Sequence, residues 1–115
     1  MDFICYPKCS TCSKARIYLE NHQLHFSERN IKEQHPSEDE IRDWHSKSKL
    51  PLKRFFNTSG MLYRELHLKD KLKDMSEDEM YKLLATDGML VKRPILIDGD
   101  TVLVGFKEKE WEENL

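Results

Sequence analysis

The hydrophobic positions at the start of the chain predict a strand, a helix and a second strand. Residues 2–6 form a short apolar run that Pro7 closes, which is typical of a strand. Apolar side chains then recur at helical spacing over residues 12–21, and residues 24–30 alternate weakly between apolar and polar. A strand, a helix and a strand in such a short stretch indicate a parallel strand pair joined by a crossover helix.

The middle of the chain is predicted to be helical. Two capping boxes precede apolar residues at helical spacing: Ser37 with Glu40, and Ser76 with Glu79. Shorter helical pieces are expected over residues 51–56 and 63–68, on either side of a turn at residues 57–60. Gly88 is predicted to be a helix C-cap.

The apolar pattern returns to strand spacing near the end of the chain. Residues 94–97 and 101–104 are apolar runs on either side of a polar turn at residues 98–100. This arrangement predicts a β-hairpin with a tight turn.

A closing helix completes the predicted architecture. It covers residues 106–115 and is expected to bury Trp111 and Leu115. The chain is therefore predicted to form a single α/β domain over residues 1–115. Its four-stranded mixed sheet follows the order βαβ…ββα, with a helical insertion at about residues 31–92 between strands 2 and 3.

Composition and charge exclude several classes of protein. Of the 115 residues, 35% are charged, but the formal net charge is only −2 and the two signs are interspersed, which argues against a nucleic-acid-binding surface. The apolar runs fall far short of the roughly 20 residues that span a bilayer, and the N-terminus has no secretory pattern. We therefore expect a cytoplasmic monomer without membrane or direct nucleic-acid contacts.

Three cysteines carry the candidate chemistry in such a reducing compartment. Cys9 and Cys12 form a C-x-x-C between the first strand and the first helix, which is typical of a thioredoxin-like redox domain. The N-terminus of a helix stabilises a thiolate, so Cys9 is predicted to be the nucleophile and Cys12, one turn further in, the resolving thiol. Cys5 is predicted to be a small buried hydrophobic residue of the strand.

Two other interpretations of the cysteine pair are an inert structural pair and half of a zinc site. In the zinc interpretation His22 and His25 would supply the other two ligands. They lie beyond a helix roughly 15 Å long, whereas zinc ligands converge within about 2.3 Å of the metal, so no metal site is predicted. The other histidines are expected to be surface or packing residues: His35, His45 and His67.

The Arg93-Pro94 pair at the start of the third strand is a second candidate feature. A proline that enters a strand tends to lie at its first residue or after a cis bond. In a thioredoxin-like layout Pro94 would face the cysteine loop, and Arg93 would bring positive charge to the sulfur or to a bound anion. We therefore predict a cis bond here. The alternative is a loop proline beside a solvated arginine.

Several motifs resemble a known family. They are PKCSTC at residues 7–12, FFNTSG at 55–60 with YREL at 63–66, DGML at 87–90 with KRPI at 92–95, and VGFKE at 104–108. On these motifs the chain is identified as a member of the ArsC/Spx family, in its arsenate-reductase-like (YusI-like) branch. The resemblance covers essentially the whole chain. It implies a thioredoxin-like fold, no bound cofactor, and an external thiol donor such as glutathione with glutaredoxin, or thioredoxin.

The resemblance implies an anion site with fewer charges than in some members. Glutaredoxin-dependent arsenate reductases of the family use one cysteine to attack arsenate and three arginines to hold it. Cys9 matches the cysteine and Arg93 matches one arginine, whereas Asn57 and Gly105 stand where the other two arginines would be. Arg93, Pro94 and Asn57 are the implied substrate or anion site, and arsenate turnover is expected to be weak.

Cys12 connects the chain with another branch of the family. The arsenate reductases lack this second cysteine, whereas Spx proteins carry a C-x-x-C and act as redox-sensing regulators bound to RNA polymerase. Spx-like chains usually extend further at the C-terminus and lack the stretch at residues 56–60. The phosphatase-like reductases are excluded, since the arginine they need is Ala15 here.

Three functions are therefore considered. In order of preference, they are a thiol–disulfide oxidoreductase that uses Cys9 and Cys12 with a protein or small-thiol partner, a glutaredoxin-dependent arsenate reductase, and an Spx-like regulator that binds RNA polymerase.

Overall fold

Four short strands form a mixed sheet in the order β2-β1-β3-β4. The computed structural model describes residues 1–115, and the strands are β1 (Asp2–Cys5), β2 (Ser27–Asn30), β3 (Ile95–Asp98) and β4 (Thr101–Val104). Strands β1 and β2 run parallel, whereas β1–β3 and β3–β4 are antiparallel pairs. The parallel pair and the closing hairpin confirm the predicted fold class, although β2 begins three residues later than predicted.

Six helices and three short 3-10 segments surround the sheet. The helices are α1 (Ser10–Asn21), α2 (Glu38–Ser48), α3 (Met61–Glu65), α4 (Leu68–Lys71), α5 (Glu77–Leu84) and α6 (Glu108–Asn114); the 3-10 segments are Leu52–Phe55, Leu72–Asp74 and Gly88–Leu90. Both predicted capping boxes are confirmed at the starts of α2 and α5. None of the helices is long and apolar enough to cross a membrane.

Alternation of side chains along β1 divides the core into two apolar clusters. Phe3 and Cys5 belong to a cluster that also contains residues of α1 and the fully buried Trp111 of α6. Ile4, between them, belongs to the larger cluster, which α2 and α5 complete from the opposite face. The sheet is therefore covered on both faces, with the helical insertion on one side and α1 with α6 on the other.

Gly88 has a different role from the predicted helix C-cap. Helix α5 ends at Leu84, and Gly88 instead begins a 3-10 segment that the side chain of Asp87 caps. A Cβ atom at Gly88 would lie 1.8 Å from the carbonyl oxygen of Ile31. Glycine is needed here because two backbone segments touch, which no local sequence pattern reveals.

The closing helix buries Trp111 but not Leu115. The indole Nε1 of Trp111 donates to the carbonyl oxygen of Gly105 at 3.2 Å, so this tryptophan is both packed and hydrogen-bonded. Leu115 is 37% exposed, and its predicted burial is wrong because α6 ends one residue before it.

Candidate functional site

Cys9 lies at the N-terminus of α1 itself. The helix begins at Ser10, two residues earlier than predicted, and Cys9 is its N-cap. A turn from Tyr6 delivers the residue to this position, since the Cys9 amide donates to the Tyr6 carbonyl at 2.9 Å. No side chain caps the helix, so its first amides are available to a negative sulfur.

The surroundings of Cys9 favour its thiolate. Burial raises the pKa of the Cys9 thiol, but hydrogen bonds from the amides of Cys12 and Thr11 and from the guanidinium of Arg93 outweigh it. The net result is a pKa below the ordinary value of a cysteine. Cys9 is also partly exposed, so a substrate can reach its sulfur.

Cys12 lies behind Cys9 and is fully buried. Its sulfur accepts a hydrogen bond from the Tyr6 amide at 3.3 Å. The pKa of Cys12 is nevertheless raised, first because its S–H donates to the sulfur of Cys5 and then because of burial. The pair thus consists of an accessible acidic thiol and a shielded thiol that keeps its proton.

A cavity of about 380 Å³ opens beside Cys9. Its lining residues are Cys9, Thr11, Asn57, Ser59, Gly60, Met61, Lys92 and Arg93. The structure therefore brings three of the predicted site residues together, whereas Cys12 and Pro94 are buried and do not line the cavity. The Arg93–Pro94 bond is cis, which confirms that prediction.

Arg93 is held by the protein rather than solvated. Its Nε and Nη1 atoms are buried without a hydrogen-bond partner, and its Cζ lies 5.3 Å from the ring centre of Tyr6. Because buried donors are almost always satisfied, the orphaned guanidinium nitrogens indicate a missing acceptor. An anionic or carbonyl group in the cavity would supply it.

Asn57 and Gly105 stand where the family resemblance implies the other two arginines, and neither supplies a positive charge. The side-chain amide of Asn57 is already engaged, since its Nδ2 donates to the Met89 carbonyl at 3.4 Å. Gly105 has a φ of +78°, and a Cβ there would lie 3.3 Å from Cε of Lys92. The stem of Lys92 therefore passes over Gly105 and brings a second cation to the cavity. Sequence reasoning missed Lys92, although it stands next to Arg93 in the motif that was singled out.

Cys5 is buried as predicted, but its sulfur has polar neighbours. Nη2 of Arg16 lies 3.5 Å from the Cys5 sulfur, and Nε of the same arginine donates to Glu28 at 2.7 Å. The hydrogen bond from Cys12 lowers the pKa of Cys5; burial and Glu28 oppose this, and Arg16 adds to it. Arg16 stands four residues after Cys12, on the same face of α1, but this spacing does not show which strand residue the face meets.

The histidines of the zinc interpretation do not approach the cysteines as a ligand group. No group of three or more His, Cys, Asp or Glu side chains is placed to hold a metal ion. His22 stacks on Tyr18 at 4.0 Å between ring centres, and His25 is exposed. Of the remaining histidines, His45 contacts the Tyr81 hydroxyl as a packing residue, and the other two are exposed. A larger cleft of about 480 Å³ between the end of α2 and β4 contains no cysteine.

Comparison with known proteins assigns the family. The ArsC family model matches residues 5–114. The chain belongs to the ArsC family. It is 57% identical over 114 residues to the YusI protein of Bacillus subtilis, a match that covers 99% of this chain and 97% of that protein. The crystal structure of an ArsC family related protein from Bacteroides fragilis superposes with a TM-score of 0.95 at 47% identity, covering 97% of this chain and 94% of that one.

The relatives of this ArsC family chain include a regulator. The global transcriptional regulator Spx of Bacillus subtilis is 32% identical over 104 residues, which cover 90% of this chain and 78% of Spx. The ArsC family also includes arsenate reductases with the same thioredoxin-like fold. Membership of the ArsC family therefore fixes the fold, whereas the chemistry has to be argued from the site.

We expect Cys9 to alkylate faster than Cys5 or Cys12 near neutral pH. Its lowered pKa places the thiolate, which is the reactive form, at a lower pH than the usual midpoint of about 8.5. The measurement is the rate of iodoacetamide labelling against pH, resolved by peptide mass. Arg93→Gln should move the midpoint of Cys9 upward, whereas Arg64→Gln, on an exposed residue outside the cavity, should not. A wild-type midpoint at or above that of a free thiol would contradict this assignment.

Proposed function

We propose that this ArsC family protein is a thiol–disulfide oxidoreductase in which Cys9 attacks and Cys12 resolves. The observation that carries the proposal is the pairing of an accessible cysteine of lowered pKa at a helix N-terminus with a buried thiol one turn away. Disulfide exchange requires a thiolate and a second thiol within reach, and this pair has both features.

The proposed reaction has two exchange steps. The Cys9 thiolate attacks a substrate disulfide, forms a mixed disulfide with one half and releases the other half as a thiolate. Cys12 then attacks the sulfur of Cys9, a Cys9–Cys12 disulfide forms, and the remaining half leaves with the proton that Cys12 gives up. The substrate disulfide is reduced, the cysteine pair is oxidised, and an external thiol donor such as glutathione with glutaredoxin, or thioredoxin, returns the pair to its thiol form.

The cavity beside Cys9 supports a preference for substrates with an anionic group near the sulfur. Arg93 lines this space with two buried nitrogens that have no hydrogen-bond partner, and Lys92 adds a second positive charge. Charge-assisted hydrogen bonds to a carboxylate would satisfy both groups. Asn57 lines the cavity without adding charge, and Pro94, the residue after Arg93, is buried.

Arsenate reduction is the second candidate, and the position of Lys92 is the observation in its favour. The family resemblance places an oxyanion-binding arginine at residue 105, and the Lys92 stem fills the space that Gly105 leaves there. One lysine is a weaker substitute for a guanidinium, because it has no bidentate geometry. Two other cations near Cys9 in the sequence fit less well than Lys92: Arg16 is bound to Glu28, and Lys14 lines a different cavity.

We expect efficient disulfide exchange and weak arsenate turnover from the same sample. Each lost charge-assisted contact costs roughly 1.5–3 kcal/mol, so two missing arginines should weaken oxyanion binding by about a hundredfold or more. The comparison is steady-state reduction of a small disulfide against arsenate reduction with glutaredoxin and glutathione. Cys12→Ser separates the mechanisms, since it should stop disulfide turnover. Efficient arsenate turnover that needs Cys9 and survives Cys12→Ser would favour the single-cysteine reductase instead.

An Spx-like role would be recognised by a different result. Similarity to Spx makes binding to RNA polymerase an alternative function. A regulator of this kind would act by binding and would not need to catalyse disulfide reduction. A stable complex with purified RNA polymerase, together with negligible disulfide reductase activity, would favour the regulator over the enzyme.

A further inference from the structure

Cys5 is a nucleophilic group that the proposed reaction does not use. It lies at the end of β1, faces α1, and is fully shielded from solvent together with Cys12. Small apolar residues would fill this position equally well, yet a thiol stands there with a guanidinium against its sulfur. A buried thiol with a charged partner differs from an inert packing cysteine.

Cys12 is the thiol that the other two share. Its sulfur accepts a hydrogen bond at 3.3 Å from the amide of Tyr6, the residue that follows Cys5, and its S–H donates to the sulfur of Cys5. The backbone amide of Cys12 donates to the sulfur of Cys9. Cys9 approaches it from the partly exposed N-terminus of α1, whereas Cys5 approaches it from the sheet. A disulfide requires two cysteines whose backbones and sulfurs lie close together, and these contacts make Cys12 the neighbour of both Cys5 and Cys9.

Arg16 is positioned to hold negative charge on Cys5. Its guanidinium lies 3.5 Å from the Cys5 sulfur, is fixed by Glu28 at 2.7 Å, and has its Cζ 5.9 Å from the ring centre of Phe3. The hydrogen bond from Cys12 is the first cause of the lowered pKa of Cys5, and Arg16 adds to it. The charged groups against Cys5 are therefore Arg16, which favours the thiolate, and Glu28, which opposes it.

We infer that Cys5 is a second resolving thiol, which attacks Cys12 in the Cys9–Cys12 disulfide and moves the disulfide into the core. This inference rests on the proposed function, which supplies the Cys9–Cys12 disulfide. In the step, the Cys5 thiolate bonds to the Cys12 sulfur, the Cys9–Cys12 bond breaks, and Cys9 leaves as a thiolate. No electrons enter or leave the protein, because one disulfide replaces another.

The transfer has a functional consequence. It regenerates the reactive Cys9 thiolate while the protein stays oxidised, and it stores the disulfide between two residues with no solvent exposure. External thiols reach that disulfide only when Cys9 attacks Cys12 in reverse. The protein would thus hold an oxidised state that resists reduction by small thiols while Cys9 remains available to attack a second disulfide.

The test follows disulfide positions in the full chain over time. Reduced protein is mixed with a small disulfide, quenched with acid at intervals and alkylated, and its peptides are mapped by mass. The expected result is a Cys9–Cys12 peptide that appears first and a Cys5–Cys12 peptide with alkylated Cys9 that replaces part of it. The transfer rate should not depend on protein concentration, because the step is intramolecular.

Two variants test the role of the charged neighbours. Arg16→Gln should raise the pKa of Cys5. A rise of about one pKa unit lowers the thiolate fraction of Cys5 about tenfold, but it also makes the remaining thiolate more nucleophilic. The transfer should therefore be about threefold slower near neutral pH. Glu28→Gln removes the opposing charge and should leave the transfer equal or faster. Both variants break the same ion pair, so a merely structural effect would move the two rates in the same direction.

Cys5→Ser distinguishes failure of this inference from failure of the proposed function. If Cys5→Ser forms the Cys9–Cys12 disulfide but wild type never yields a Cys5–Cys12 peptide, the second resolving role of Cys5 is overturned and the oxidoreductase stands. If Cys5→Ser also stays fully reduced under the same treatment, the oxidoreductase proposal fails with it.

Discussion

Replacing Cys9 with serine should reduce disulfide reductase activity by about a thousandfold or more, because a hydroxyl is not ionised near neutral pH and cannot replace the thiolate. The arrangement that makes Cys9 reactive would remain in place, including the helix N-terminus and Arg93. The measurement is the steady-state rate with a small disulfide, together with circular dichroism to establish that the variant is folded.

Ser10→Ala is the matched control for this prediction. Ser10 is the next residue along the chain, is exposed and does not line the cavity. The Ser10→Ala variant should retain the wild-type activity within about twofold, since a surface substitution away from special contacts rarely changes the free energy of unfolding by more than about 0.5 kcal/mol. Activity of Cys9→Ser close to that of Ser10→Ala would mean that another thiol is the nucleophile.

Gly88→Ala should lower the free energy of unfolding by about 3 kcal/mol, because overpacking of this kind forces the backbone apart. The added methyl would lie 1.8 Å from the Ile31 carbonyl oxygen, which cannot rotate away as a side chain could. Ile31 directly follows β2, and the 3-10 segment at Gly88–Leu90 precedes Arg93 in the chain. The added methyl would therefore push apart the end of β2 and the segment that leads to the cavity. Urea unfolding followed by circular dichroism measures the loss.

Gly99→Ala separates steric contact from backbone conformation. Gly99 has a φ of +59° in the turn between β3 and β4, but nothing lies within 4 Å of a Cβ there. Alanine should therefore cost only about 1 kcal/mol, from the left-handed conformation alone. If Gly88→Ala lowers the free energy of unfolding no more than Gly99→Ala does, the backbone around Ile31 can move to relieve the contact, which would contradict this prediction.

The sequence predicts those parts of the fold that depend on local patterns. Capping boxes, the hairpin turn and the apolar run of β1 are set by residues within a few positions of one another, and the structure contains all of them. The prediction of a helix C-cap at Gly88 was wrong because this glycine is required by a distant segment, at Ile31. The predicted burial of Leu115 was wrong because α6 ends one residue before it. No periodicity encodes the approach of Ile31 to Gly88.

The candidate site divides in the same way. The C-x-x-C and Arg93-Pro94 are short motifs, and the placement of Cys9 at a helix N-terminus and the cis bond followed from them. Lys92 was missed because its contribution depends on the empty space over Gly105. The contact between Arg16 and Cys5 was missed because it joins a helix and a strand whose relative rotation the sequence does not state.

The most direct test of the cysteine-pair proposal is disulfide mapping of the Cys5→Ser variant after equilibration with a small disulfide. In this variant Cys9 and Cys12 are the two remaining cysteines, so any intramolecular disulfide joins them. We expect the intact protein to lose the mass of two hydrogens and to regain it on addition of dithiothreitol. The disulfide should be found in a single Cys9–Cys12 peptide. Recovery of Cys9 as a stable mixed disulfide beside a free Cys12 thiol would contradict the account.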